Sequence, residues 1–201
     1  MELVQGIYTL KCTIVYKQSL VVKRIVAIWI LLLPLIAQGQ IYESVDCDIS
    51  IYSEAPIQDV QASNDRAVSY FDLSTNYILF DVIVEDFNFE QGMMEQQFND
   101  RYMETSDYPK AEFFGKVIGF DPHQKGMQEV TAMGELTIHG VTNMVKSSGR
   151  MKVSEDGQLY LISKFIVNIE DYSVDPPRLL FHPIAEEVSI KVEAKYHLTG
   201  S

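Results

Sequence analysis

Between Val45 and Leu198 the chain repeatedly alternates apolar and polar residues. Val45, Cys47, Ile49 and Ile51 are separated by Asp46, Asp48 and Ser50, and Val188, Ile190, Val192, Ala194, Tyr196 and Leu198 by Ser189, Lys191, Glu193, Lys195 and His197. Successive side chains of a strand point to opposite faces, so this period of two predicts strands with one buried and one wet face. Ile78, Phe80, Val82 and Val84 repeat the pattern, as do Val130 to Ile138 and Leu159 to Ile169. Turn-forming clusters at Asp72–Asn76, Asp121–Gly126 and Ser154–Gly157 separate these runs. The pattern predicts about eight strands, near 43–52, 58–71, 77–87, 110–120, 128–139, 143–153, 158–169 and 185–198. Short strands joined locally point to an all-β sandwich or an up-and-down antiparallel barrel.

Two segments depart from this rhythm. From Gln91 to Tyr102, Met94, Phe98 and Tyr102 recur every four residues, which predicts a short helix in a strand connection. Asp171 to Pro183 contains Pro176-Pro177, which cannot lie in a central strand, and reads as a loop with a turn of helix from Arg178. There are no internal repeats and no linker, so residues 40–201 read as one domain.

Residues 1–39 differ from the rest. Lys23 and Arg24 precede an unbroken apolar run from Ile25 to Ala37, and Ala37-Gln38-Gly39-Gln40 follows. A positive flank, a short apolar core and a small-residue exit predict a secretory signal peptide cleaved near Gly39. The run of 13 residues is short of the roughly 18–20 that a spanning helix needs. Residues 1–22 lengthen the positive region unusually and read as an over-extended start, with initiation near Leu20 to Val22. The expected location is periplasmic or secreted, with no permanent membrane anchor after cleavage.

Charge narrows the partners. Cleavage removes four basic residues and one acidic one, leaving 12 basic and 27 acidic residues and a formal charge of −15. Such a surface repels phosphate backbones and anionic lipid surfaces, which argues against nucleic acid. Cys47 alone remains after cleavage, so no internal disulfide supports the fold and the core must do so.

The residues offer little to catalysis. No G-x-S-x-G motif occurs, Cys47 lies within a strand, and His123, His139, His182 and His197 lack ligand-like pairing. We therefore expect no enzyme, no metal and no cofactor. His139 is the histidine of interest, since it ends a strand before Gly140. It reads either as a turn histidine bonded to nearby backbone or as a residue at the barrel mouth touching a ligand's polar end.

The apolar residues support a binding reading. Phe80, Val82, Leu136 and Phe165 occupy inward positions of strands, Phe113 opens another strand, and Phe87, Met93, Met94 and Phe98 cluster on and beside the helical segment. With His139, these are the expected ligand-contacting residues. An eight-stranded barrel is just wide enough to be filled by side chains or to hold one small ligand. The small residues Ala111, Gly115, Ala132 and Gly134 on the inner parity are expected to leave space.

Several runs together resemble the YceI-like family of exported, lipocalin-like barrels. They are Ser53-Glu54-Ala55-Pro56-Ile57 with Ala62-Ser63-Asn64; Phe87 and Phe89; Met94 with Phe98-Asn99 and Tyr102-Met103-Glu104; Tyr108-Pro109-Lys110-Ala111; Gly134 to Thr142 (GELTIHGVT); and Phe165 with Asp171-Tyr172 and Pro176. The resemblance implies an eight-stranded antiparallel lipocalin-like barrel whose elongated apolar pore binds polyisoprenoids or similar long-chain isoprenoid or fatty amphiphiles without catalysis. The chain departs from the family pattern where the first strand usually begins with Gly and an aromatic, having Cys47 and Ile49 instead. At about 0.8 kcal/mol per CH₂, burying a long hydrocarbon is strongly favourable, although ordering costs cut the net value. A homodimer is compatible with the sequence. The alternatives are an exported protein-interaction module with a side-chain-filled barrel and an acidic outer face, and an isomerase or hydrolase working at the barrel mouth.

Overall fold

In a computed structural model, residues 40–54, 59–174 and 187–199 are described. The expected signal peptide, the turn of helix from Arg178 and most of the Asp171–Pro183 loop lie outside them. Ten strands form one antiparallel sheet: β1 (Ile41–Ser53), β2 (Val60–Asn64), β3 (Val68–Asp72), β4 (Tyr77–Ile83), β5 (Asn88–Phe89), β6 (Lys110–Ile118), β7 (Gln128–Ile138), β8 (Val141–Val153), β9 (Leu159–Asn168) and β10 (Glu187–Leu198). Each of β3–β4 and β6 to β10 pairs with its neighbours, and β10 returns to pair with β1, closing the circle. Closure through β10 and β1 leaves only the short β5, paired with β2 alone, at an edge.

Ten strands make an eight-stranded barrel because two positions in the circle are broken. β1 pairs with β2 along its second half and with β3 at its start, so the strand expected at 58–71 is interrupted at residues 65–67. Likewise the strand expected at 77–87 stops at Ile83, makes a 3₁₀ turn over Val84–Asp86, and resumes as β5 against β2. One buried residue ties the two breaks together. Asn64, with no exposed surface, accepts a hydrogen bond from the Arg66 backbone N–H (2.9 Å) and donates one to the Ile83 carbonyl (2.9 Å). An asparagine that bonds its own backbone two residues on supplies a turn within a strand.

The inward parity matches the alternation in the sequence, with one exception. Val45 is 55% exposed, because a bulge between Ser44 and Asp46 shifts the register of β1 against β10. An extra residue flips the faces, so Tyr42 and Cys47 both point inward and Val45 does not.

The two ends of the barrel differ. At the end that holds the β3–β4, β6–β7 and β8–β9 turns, Phe71, Met151, Leu159 and Tyr196 are fully buried, and Phe71 meets Phe120 edge to face at 5.9 Å. The Gln128 side chain ties that end's long turn by bonding Asp121 N–H (2.9 Å) and the Asp121 carbonyl (2.8 Å). This end is solid. The opposite end carries the short helix α1 (Gly92–Gln97), a π-helical turn over Phe98–Tyr102 and a 3₁₀ turn over Ile169–Tyr172.

Candidate ligand-binding site

Inside the second end lies an apolar cavity of about 460 Å³, within the ~300–1,000 Å³ range of small-molecule sites. Its wall takes the second half of β1, the middle of β4, the start of β6, the ends of β7 and β9, and the starts of β8 and β10. In an up-and-down barrel those segments share one end.

The helical segment closes this end. Met94, Phe98 and Tyr102, the stripe read at four-residue spacing, all line the cavity. The π turn adds Met103, whose N–H bonds the Phe98 carbonyl five residues back at 2.9 Å. A π turn places residues five apart on one face, so Met103 is buried beneath the stripe, where an ordinary helical period would not put it. Phe98 packs against Phe89 (4.9 Å) and Phe87 (5.9 Å), and Glu95 accepts the Phe89 N–H at 3.2 Å. The broken β4–β5 strand thus supplies the aromatic seat of the helix.

Of the residues expected to contact a ligand, Phe80, Val82, Phe87, Met94, Phe98, Phe113, Leu136 and Phe165 line the cavity. Met93 does not: it is 73% exposed, on the outer side of α1, because Met94 and not Met93 falls in register with Phe98. His139 is also outside the wall. It occupies the two-residue turn between β7 and β8, with φ +50° at His139 and +73° at Gly140, the pair of left-handed residues that suits a tight hairpin. Its Nε2 lies 3.0 Å from Glu104 Oε2 and its ring packs on Tyr108 at 4.2 Å. It therefore pins the chain just after the π turn to the barrel rim, and its partner is a carboxylate rather than the neighbouring backbone.

The space has a different origin from the one expected. Ala111 and Ala132 line it, but Gly115 and Gly134 do not. They face each other across β6 and β7, and a Cβ on Gly134 would lie 2.3 Å from the Gly115 Cα. The Phe113 ring covers Gly115, within 2.5 Å of where its Cβ would be. The glycines bring two backbones together and seat an aromatic ring, and the void lies beyond that ring.

Sequence reasoning missed the far wall: Ser147, Ser163, Tyr172, Val174, Val188 and Ile190. Serine at an inward position carries no apolar signal, and Tyr172 sits in a 3₁₀ turn where strand periodicity has ended. The Ser163 hydroxyl donates to the Ser148 carbonyl (3.0 Å) and lies 2.6 Å from Ser147 Oγ, which makes Ser147 its donor. Ser53 donates to the Glu187 carbonyl at 3.2 Å. Burial raises the Tyr102 and Tyr172 phenols above their ordinary range, with Asp171 adding to the rise at Tyr172, so both remain protonated donors. Among the described residues no group of three or more His, Cys, Asp or Glu is placed to hold a metal, and no helix is long and apolar enough to cross a membrane.

A YceI-like domain model matches residues 45–196. A polyisoprenoid binding domain from Saccharophagus degradans superposes with a TM-score of 0.67 at 11% identity, covering 80% of this chain and 99% of that one. BcnA of Burkholderia cenocepacia does so with a TM-score of 0.60 at 16% identity, covering 74% and 95%. The Campylobacter jejuni YceI protein follows at 0.50 and 14%, covering 74% and 86%. At these identities the likeness is one of fold. No curated protein matches the sequence.

Proposed function

The chain belongs to the YceI-like family, and from that premise we propose that it binds and carries a long-chain apolar ligand, a polyisoprenoid or a similar isoprenoid or fatty amphiphile, inside its barrel. The observation that carries this reading is the asymmetry of the interior. One end is packed solid, while the other keeps about 460 Å³ behind a wall made mostly of Val, Ile, Leu, Phe and Met. A protein whose barrel served only as a scaffold would gain stability by filling that space, since empty apolar volume costs about 24 cal/mol per Å³. A ligand offsets that cost by restoring the missing contacts.

The reading includes no chemical step and no cofactor. The wall offers hydrocarbon to a hydrocarbon chain, excludes water, and releases the cargo when the seat of Met94, Phe98, Tyr102 and Met103 gives way; unbranched thioethers adapt to irregular apolar shapes. The same reading sets the protein to work in an exported compartment, with a mature chain beginning near Gln40, where an aqueous gap separates membranes that exchange lipid. N-terminal sequencing of protein from its native host tests export, and recovery of soluble protein that retains residues 20–36 counts against it.

Organic extraction of the purified protein followed by mass spectrometry tests the cargo. The expected result is a near-stoichiometric long-chain lipid. Protein that is lipid-free as isolated and takes up none on exposure to lipid vesicles overturns the carrier reading in favour of an interaction module.

A further inference from the structure

β8 and β9 carry Lys146, Arg150, Lys152 and Lys164 and not one Asp or Glu, in a chain whose formal charge is −12. Lys146, Arg150 and Lys164 are exposed on the outer face, and β10 adds Lys191 and Lys195 beside them. Lys191 lies directly opposite Lys164 in the ladder, a like-charge placement that costs stability. Glu193 relieves Lys191 at 2.7 Å, but Lys146, Arg150 and Lys164 have no ion pair among the described residues. Lys152 and Lys195 rest over the Tyr160 ring at 5.0 and 5.8 Å, which orders both cations without neutralising them. Carboxylates return only at the borders of this face: Glu129 and Glu135 on β7, Glu187 and Glu193 on β10, and Glu155 and Asp156 in the β8–β9 turn.

The same face exposes hydrocarbon. Met144 (69%) and Ile166 (61%) are the most exposed large apolar side chains on any described strand. They flank a parting in the barrel wall. The β8–β9 ladder runs from Val153↔Leu159 to Ser148↔Lys164 and stops there, although β8 begins at Val141 and β9 continues to Asn168. β7–β8 and β9–β10 stay paired beyond that point, to Ile138↔Val141 and Glu187↔Asn168. The parting is pinned on both sides. Ser163 Oγ donates to the Ser148 carbonyl (3.0 Å) where the ladder stops, and Asn143 donates to the Asp171 carbonyl (2.7 Å) beyond it. Behind it lie Val145, Ser147, Phe165 and Val167, all of which line the cavity.

We propose that the outer face of β8 and β9 docks the protein on an anionic lipid bilayer, with Lys146 and Lys164 meeting lipid phosphates while Met144 and Ile166 enter the boundary between head groups and acyl chains. Single apolar side chains set among cations suit that boundary, whereas a protein partner calls for a contiguous apolar centre. The net charge of the chain opposes an anionic surface, but its distribution does not. Salt screens charges beyond about 8 Å, so the strands in contact decide the attraction and the acidic remainder turns the other faces away. This goes beyond the apolar-ligand reading and rests on it in one respect: a bilayer is where such a cargo is held, and the face borders the open end of the barrel.

The test floats purified protein with phosphatidylcholine vesicles, with and without phosphatidylglycerol. Wild type is expected to bind the mixed vesicles, to bind phosphatidylcholine alone far less, and to be released as salt rises from about 0.1 M to about 1 M. Lys146→Gln with Lys164→Gln should weaken binding to the mixed vesicles roughly 10-fold. Lys125→Gln with Arg66→Gln, an equal loss of charge away from this face, should leave it unchanged. Met144→Ser with Ile166→Ser should weaken it at the lower salt as well, and thermal unfolding should show all three pairs folded as wild type is. Wild type that does not float with the mixed vesicles overturns the proposal, as do equal losses from the two charge pairs. An unchanged Met144 and Ile166 pair overturns the insertion of these side chains. Wild type that ignores vesicles yet is retained on immobilised polyglutamate gives the face to an acidic protein instead. Protein that yields lipid on extraction but does not float keeps the carrier reading and loses this one; protein that floats but neither holds nor takes up lipid does the reverse.

Discussion

The Tyr196 phenol lies 2.8 Å from the Ser69 hydroxyl, and neither residue exposes any surface to solvent. Ser69 Oγ in turn donates to the Leu79 carbonyl (2.8 Å), so Tyr196 is the donor of the pair, and the Ser69 N–H reaches Ser44 Oγ (2.8 Å). β1, β3, β4 and β10 are thereby joined at the solid end of the barrel. The buried Tyr172 phenol at the open end has no such partner, and the two positions should respond oppositely to the same substitution. Tyr196→Phe is expected to cost about 1 kcal/mol, a fall of roughly 2–4 °C in Tm, with the lipid complement unchanged. Thermal unfolding beside lipid extraction checks both.

Cys47 gives a prediction in pH. Burial first, then Asp48 and Asp46, push its thiol from the ordinary 9.0 up to about 12. A folded-state value above the unfolded one means the unfolded chain loses its proton first. The associated stability is therefore whole below about pH 9 and is lost as pH rises from there towards 12. Burial raises Tyr196 as well, which extends the loss further into alkali. Urea unfolding at pH 8 and pH 10.5 should show a marked fall in wild type and a smaller one in Cys47→Ala. The native thiol should also resist iodoacetamide at pH 8 until urea unfolds the chain; rapid labelling of folded protein would contradict its burial.

The alternation of apolar and polar residues was enough to place the strands and their faces, because a one-residue slip inverts every side chain and one face must be buried. It failed at Val45, where a bulge adds a residue that no local pattern announces. It could not reveal the breaks at residues 65–67 and 84–86, which depend on Asn64 reaching from β2 to Ile83. In the cavity wall, eight of the ten expected contact residues are present, because their chemistry and position were legible in the sequence. Met93 was misplaced because two adjacent methionines look alike until the helix face is known. Ser147, Ser163 and Tyr172 were invisible for a different reason: their role arises from what surrounds them, and Tyr172 stands out only once its missing partner can be seen.

The parity itself can be challenged with a matched pair. Phe165 lines the cavity, whereas Glu193 on β10 is solvent-exposed and accepts a hydrogen bond from Lys191 at 2.7 Å. Phe165→Asp places an unpaired charge in an apolar interior and should unfold the domain or abolish lipid uptake. Glu193→Lys removes only an exposed ion pair, worth about 0–1 kcal/mol, and should be nearly silent in Tm. Comparable damage from both would show that the face assignment is wrong.

The last prediction separates the roles of the helical segment. Met94 and Phe98 line the cavity, while Met93, one residue away, is 73% exposed. If the segment only plugs the barrel, Met94→Ala with Phe98→Ala should lower Tm and leave the ligand complement of the folded protein intact. If it also touches cargo, the double variant should lose bound lipid, or retain shorter chains, more than its stability loss explains. Phe98 is half-buried against Phe87 and Phe89, so some destabilisation, about 1–3 kcal/mol, is expected in either case. The decisive quantity is lipid retained per folded molecule, measured by extraction after removal of unfolded protein, alongside thermal unfolding of the delipidated form. Met93→Ala serves as the internal control, because it changes the same helix and the same side-chain type without reaching the cavity. It should move neither quantity. A double variant that melts early yet keeps a full complement would make the segment a scaffold and move the entrance elsewhere on the barrel.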